Sequence, residues 1–209
     1  RPPGPYSNHW TDQEDKLIRA PDPDPDKRWH CVGYVTGVEG PFVKIGYIGA
    51  PSDRTRWFLQ DDPNLTPFKS LDEVDISGLP LVRPPSCYTG TVSFPLFFAN
   101  FTINRDKMGL SVPPESFQQI SRTEGNAPVN HFEEGHKLET YDPINGPRIF
   151  YPATVVERSK HAMIKIQYDG TSMTKVLPYN DSRLFQCGFA KSIGWKCELY
   201  KESENGMNR

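Results

Sequence analysis

The side chains best able to do chemistry in this sequence are five histidines, four cysteines and a short run of aspartates. His131 and His136 lie five residues apart near a strand start, a spacing that does not build a metal-ligand pair. Asp22, Asp24 and Asp26 alternate with prolines that hold the chain extended, which favours a solvated loop over a cation site. There is no GxSxG, P-loop or HExxH motif. The sequence therefore predicts no enzyme, no cofactor and no metal site.

The cysteines are Cys31, Cys87, Cys187 and Cys197, and none belongs to a CxxC pair or a zinc-like cluster. We interpret them as reduced thiols of an intracellular protein, because disulfides are rare in that compartment. A disulfide between Cys187 and Cys197 is the alternative.

Composition narrows the class of protein. The formal net charge is −2, which argues against nucleic acid as the main ligand, since binding to it usually needs a basic face. No apolar run is long enough to cross a bilayer, so no membrane partner is expected. The 21 prolines and 16 glycines favour short strands over long helices. Because the chain begins with Arg1 rather than methionine, we expect a fragment of a longer protein.

Residues 132–199 carry the clearest strand pattern. Two runs, 150–156 and 162–168, are rich in β-branched and aromatic residues and are separated by a short polar connection. An Asp142-Pro143-x-Asn145 turn precedes them, and Gly170 follows them at a tight corner. This pattern predicts a small, strongly bent antiparallel barrel.

The same pattern occurs earlier in the chain, which indicates an internal repeat. A constant shift of 121 residues, as between Tyr47 and Tyr168, relates the two copies over the span 16–68. The matched positions are Lys16-Leu17 with Lys137-Leu138, Trp29 with Phe150, Val35 with Val156, Tyr47 with Tyr168, Gly49 with Gly170 and Phe68 with Phe189.

The predicted fold is mainly β: two tandem small antiparallel β-barrels with an extended, partly helical arm between them. The predicted segments are an N-terminal arm at 1–15, a first barrel at 16–85, the arm at 86–131, a second barrel at 132–200 and a frayed tail at 201–209. Trp10 is expected to hold the N-terminal arm, and Trp57 to be largely buried in the first barrel. The expected buried anchors of the central arm are Phe94, Leu96, Phe97, Phe98 and Phe101.

The ordered set KLE, DPxN, a TVV-type strand, an IKIxYDG-type strand and the Gly188-Phe189 pair resembles an MBT (malignant brain tumour) repeat. The internal repeat extends this resemblance over nearly the whole chain. It implies a Tudor-like barrel that binds lower methyl-lysine states at its rim. The implied pocket combines an Asp and an Asn from the DPxN loop with aromatic side chains, whose faces attract a methylated ammonium.

Within this resemblance, the second copy keeps Asp142, Asn145 and Tyr168 as the implied ligand-binding residues. Two further cage aromatics of the family are replaced by Thr171 and Lys175. The first copy matches more loosely, at Asp22 and Tyr47, with Ala50 and Arg54 at the two missing aromatic positions. Both cages are therefore expected to be degenerate.

The resemblance implies a nuclear, chromatin-associated module of a transcriptional repressor, a histone-tail or methyl-lysine reader within a longer multi-repeat protein. The expected partners are histone tails, proteins of chromatin complexes, or both. A protein-interaction scaffold without methyl-lysine binding is the main alternative. Another is histone binding at a non-standard surface that uses Trp10, Trp29 or Tyr179.

Overall fold

A computed structural model of the protein describes residues 10–103, 110–117, 132–142, 148–159, 162–179 and 181–201. The fold is mainly β, as predicted, with two largely antiparallel sheets and short helices. The chain divides into two compact units, Arg1–Arg122 and Thr123–Arg209. None of the helices in the described residues is long and apolar enough to span a membrane.

The first unit is built on one five-stranded sheet with the order β4-β3-β2-β1-β5. Its strands are β1 (Leu17–Pro21), β2 (His30–Glu39), β3 (Phe42–Tyr47), β4 (Arg56–Leu59) and β5 (Thr66–Pro67). Short 3-10 turns lie at Thr11–Gln13 and Pro114–Phe117. Ile18, Val35 and Ile45 are fully buried in a core that also contains Trp10. Trp10 lies against Phe117 with ring centroids 5.2 Å apart. The rest of the predicted N-terminal arm, residues 1–9, lies outside the described residues.

The described part of the central arm belongs to this first unit. Helix α1 (Phe94–Ile103) contributes Phe94 to a buried cluster that also contains Leu17, Val32 and Phe68. The sequence of the helix has no acidic residue in its first turn and no basic residue in its last, so charges do not stabilise its ends. Burial of Phe94 is therefore what holds the helix in place.

Several predicted core positions are less buried than expected. Leu96 is 53% exposed, so its prediction as a buried anchor is wrong. Phe97, Phe98 and Phe101 are half-buried at the edge of the cluster. Trp57 is also half-buried rather than largely buried, with the Lys44 ammonium 5.8 Å from its ring centroid.

The second unit contains a sheet with the order β10-β6-β7-β8-β9. Its strands are β6 (Lys137–Tyr141), β7 (Ile149–Arg158), β8 (Met163–Tyr168), β9 (Thr174–Pro178), β10 (Leu184–Gln186) and β11 (Lys196–Cys197). The short helix α2 (Phe189–Ser192) precedes β11, which pairs with β7 in parallel. Each five-strand path has two ends, so closure into barrels stays a prediction.

A buried carboxylate fixes α2 onto β6. Glu139 is 7% exposed and accepts hydrogen bonds from the backbone N–H groups of Gly188 (2.6 Å) and Ala190 (2.7 Å). Gly188 has a φ of 89°, a conformation that glycine adopts without steric cost. Backbone geometry therefore explains the glycine of the Gly188-Phe189 pair. The Phe189 ring stacks on Phe185 with centroids 4.4 Å apart.

The two units share strand order, pairing direction and one irregularity. The second strand of each unit carries a bulge where it pairs with the third, between Val35 and Gly37 in β2 and between Val155 and Glu157 in β7. Val35 therefore corresponds to Val155, an offset of 120, whereas Tyr47 and Tyr168 differ by 121. The predicted constant offset is wrong for the first two strands, because the connection between second and third strands is one residue longer in the second unit.

We expect Phe94→Ala to lower the free energy of unfolding by roughly 3–5 kcal/mol, because a buried ring is lost and a cavity remains. Leu96→Ala, two residues along the same helix, is the matched control and should change it by less than about 0.5 kcal/mol. Urea unfolding monitored by circular dichroism measures both. Equal midpoints for the two variants would contradict the docking of α1 through Phe94.

Candidate functional site

The second unit brings two of the predicted site residues together. Asp142 directly follows β6 and is 4% exposed, and Tyr168, the last residue of β8, is 3% exposed. The two strands flank β7, so their ends lie near each other. The Tyr168 hydroxyl donates to Oδ2 of Asp142 at 3.4 Å. Asn145, the third predicted residue, lies outside the described residues.

A lysine of the same chain meets this carboxylate. Lys175 lies on β9, opposite Ile166 of β8, and its Nζ is 3.1 Å from Oδ2 of Asp142. The side chain of Lys175 is 32% exposed and that of Asp142 is 6% exposed. The position at which the family resemblance implies an aromatic wall therefore supplies a cation to the site's own acid.

Aromatic rings pack beside the carboxylate. Tyr200 stacks on Tyr168 with centroids 4.2 Å apart and planes 19° apart. Tyr151 approaches both rings edge-on, at 6.2 Å from Tyr168 and 5.2 Å from Tyr200. Sequence reasoning missed Tyr200, because its contact depends on the path of the chain after β11.

Thr171 acts within the corner that follows β8. Its hydroxyl donates to the carbonyl of Tyr168 at 3.0 Å and accepts from the N–H of Met173 at 3.1 Å. Gln167 also donates, through its side-chain amide, to the Thr171 carbonyl at 2.7 Å. Thr171 thus shapes the turn and offers no ring face to a ligand.

Electrostatic interactions keep Tyr168 neutral and hold Arg183 in an ion pair with Asp181. Burial raises the pKa of Tyr168, and the neighbouring Asp142 carboxylate raises it further, so the hydroxyl stays protonated and donates. Arg183 donates from Nε and Nη2 to the two oxygens of Asp181, at 2.8 and 2.7 Å. These hydrogen bonds raise the pKa of Arg183 against the opposing effect of burial.

A comparison with known families decides the identity of this part of the chain. The sequence model of the family described as mbt repeat matches residues 136–203, which include β6 to β11 and the Asp142–Tyr168 pair. The chain carries an MBT repeat. MBT repeats are binding modules, not a family of enzymes.

A solved structure gives a second comparison. The chain is similar to the four MBT repeats of Drosophila melanogaster Sfmbt, whose crystal structure is a complex with the peptide RHR(me)KVLR. Sequence identity is 21% and the TM-score is 0.35. The match covers 90% of this chain but 41% of the Sfmbt chain, so this chain spans less than half of that relative's length.

The first unit uses the position equivalent to Asp142 of the MBT repeat differently. With the offset of 120, Asp22 occupies that position, and it is fully buried. Its Oδ1 accepts from the Ser86 hydroxyl (2.6 Å) and the Asp24 N–H (2.8 Å), and its Oδ2 accepts from the Ser86 N–H (2.8 Å) and the Cys31 thiol (3.2 Å). Asp22 thus serves as an internal anchor for the segment around Ser86.

Tyr47, the other predicted residue of the first unit, is 2% exposed and belongs to the core. Its hydroxyl has no hydrogen-bond partner among the described residues. Burial raises the pKa of Tyr47, so this hydroxyl is neutral at physiological pH. Asp22 and Tyr47 are thus both enclosed by their own unit.

Strand pairing also corrects the position equivalent to Lys175. Arg56, not Arg54, lies opposite Ile45 of β3, as Lys175 lies opposite Ile166 of the MBT repeat. The Arg56 guanidinium donates to the backbone carbonyl of Asp22 at 2.8 Å. A basic side chain of the fourth strand therefore reaches the aspartate in both units.

The segment after each sheet returns to the second strand of its unit. The Arg83 N–H donates to the carbonyl of His30 at 2.8 Å, and the Glu198 N–H donates to that of Phe150, the equivalent residue, at 2.9 Å. Ser86 then bonds Asp22, and Tyr200 covers Tyr168.

Two further candidates from the sequence were a metal site and the cysteines. The described histidine, cysteine, aspartate and glutamate residues include no group of three arranged to hold a metal ion. Burial raises the pKa of Cys31 far above its usual range, which makes this thiol unreactive.

We expect acid to remove the contribution of Asp22 to stability. Burial alone would raise the pKa of Asp22, but the hydrogen bonds from Ser86, Asp24 and Cys31 outweigh it and hold the pKa below 3.8. The contribution is therefore complete above pH 3.8 and is lost as the pH falls through the lower folded value.

The measurement compares Asp22→Asn with the parent by urea unfolding across this pH range. The variant should lose at least about 2 kcal/mol at pH 7, with the difference shrinking in acid. Asp26→Asn, in the exposed part of the same loop, should match the parent throughout. A loss for Asp22→Asn that is independent of pH would contradict the ionised hydrogen-bonded state.

Proposed function

We propose that this chain is a histone-tail-binding module of a nuclear, chromatin-associated protein of the transcriptional repressor type. The observation that carries the proposal is the MBT repeat at residues 136–203, with Asp142 and Tyr168 in contact. Asn145 is proposed as the third polar member of this site. Its partners are histone tails or proteins of chromatin complexes, and no catalytic residue, metal or cofactor is assigned.

We also propose that the first unit is a second repeat of the same kind. Its support is the shared strand order, the bulge at the same pairing position and the aspartate that directly follows the first strand in both units. In this proposal the first repeat has lost ligand binding, since its own hydrogen-bond donors engage the carboxylate of Asp22.

The proposed site of the second repeat is degenerate. A methylated ammonium is held by ring faces and by a carboxylate that accepts its N–H proton. Thr171 and Lys175 remove two ring faces, and each such contact is worth about 0.5–2 kcal/mol. Binding through this site alone should therefore be weaker by roughly tenfold or more than at a complete cage.

A scaffold function without methyl-lysine binding is the second candidate. It is favoured by Asp22, which is fully buried, and by the ion pair that Asp142 already makes with Lys175. In that case no histone peptide would bind, methylated or unmethylated, while the chain still held other proteins.

Titration of histone peptides that carry unmodified, monomethylated, dimethylated or trimethylated lysine distinguishes the two candidates. We expect the parent to bind histone tails, with little dependence on methylation and little change in Asp142→Ala, because the degenerate site contributes weakly. Micromolar binding that requires methylation and is lost in Asp142→Ala would show a complete cage and contradict the degenerate one. Absence of binding to every histone peptide would favour the scaffold.

A further inference from the structure

We infer that Lys175 is a built-in occupant of the Asp142–Tyr168 site and sets the affinity of that site for external ammonium groups. The inference rests on the proposed function, since it concerns how the proposed site is regulated. Its basis is the 3.1 Å contact between Nζ of Lys175 and Oδ2 of Asp142. The site already holds a lysine ammonium, and that ammonium belongs to its own chain.

The chemistry of the site defines the ligand class. A buried carboxylate stabilises an alkylammonium ion through charge and through the hydrogen bonds that it accepts from the ammonium N–H groups. Tyr168 also donates its hydroxyl to the same oxygen that Lys175 contacts, Oδ2 of Asp142. An external lysine side chain that approaches this oxygen must therefore displace Lys175.

The first unit shows why the occupant of Asp142 is exchangeable. Asp22 is held by backbone and side-chain donors of Ser86 and by Cys31, which are fixed by the fold. Lys175 instead ends in a flexible side chain that is 32% exposed, so a displaced ammonium can enter solvent without unfolding the strand. Exchange with an external ammonium is thus open to Asp142 and closed to Asp22.

The expected change in affinity follows from competition between Lys175 and an external ammonium for Asp142. If Lys175 occupies the site in about nine of ten molecules, the apparent affinity for an external ammonium is reduced about tenfold. Removing the lysine charge while keeping a side chain of similar length should therefore raise the apparent affinity about tenfold. Lys175→Met makes this change.

The experiment titrates a capped dimethyl-lysine residue, with capped norleucine as the uncharged control ligand, by isothermal titration calorimetry on the full chain. We expect Lys175→Met to bind capped dimethyl-lysine about tenfold more tightly than the parent. The double variant Asp142→Asn/Lys175→Met should lose this gain. Lys137→Met is the matched control, because Lys137 pairs with Asp169 at 2.8 Å in the same unit, and it should bind as the parent does.

A Lys175→Met variant that is folded but binds no more tightly than the parent would overturn the inference, as would a gain that persists without Asp142. If Lys175→Met fails to fold, a measurement on the parent still tests the inference. Capped dimethyl-lysine at high concentration should shift the side-chain NMR signals of Lys175 and leave those of Lys137 in place, and unchanged Lys175 signals would also overturn the inference.

The two proposals can fail separately. A gain in Lys175→Met, in a chain that binds no histone peptide, would leave the internal occupant standing and remove the histone-binding function. Histone binding by the parent without any gain in Lys175→Met would support the histone-binding function and overturn the internal occupant.

Discussion

The constraint on which both units depend is a buried aspartate at the end of the first strand. A carboxylate removed from water costs several kcal/mol unless donors or a cation satisfy it. The first unit satisfies Asp22 with Ser86, Asp24 and Cys31, which ties the segment after the sheet back to the loop after β1. The second unit offers Asp142 the hydroxyl of Tyr168 and the ammonium of Lys175. In each unit these contacts fix the path of the neighbouring segment of the chain.

The same position consequently has two physical outcomes. In the first unit the fixed donors make the aspartate part of the stability of the fold, and an external cation has no place at it. In the second unit a partly exposed cation on a flexible side chain holds the carboxylate. We propose that this position is a structural anchor in one unit and a site with its own competitor in the other.

The comparison of the two units shows where sequence alignment succeeds and where it fails. Alignment by a constant shift identifies the corner tyrosines, Tyr47 and Tyr168, because each ends a strand before a glycine-containing turn. It misplaces the first two strands by one residue, because the connection between strands two and three differs in length. Side chains alternate between faces along a strand, so one residue decides which side chain enters the core. A two-residue difference in the connection between strands three and four selected Arg54 instead of Arg56.

The sequence by itself determined the mainly β fold and the corner residues, because strand periodicity and turn chemistry are local properties of the chain. The proximity of Asp142 and Tyr168 was implied by the family resemblance alone. Only the tertiary structure decided what meets each aspartate. Ser86 is 64 positions from Asp22, and Lys175 is 33 positions from Asp142. Such contacts depend on register, on the shared bulge and on the path of the chain after the sheet, none of which has a local signature. The exposure of Leu96 has the same origin, since an apolar run does not state which of its side chains the neighbouring sheet will cover.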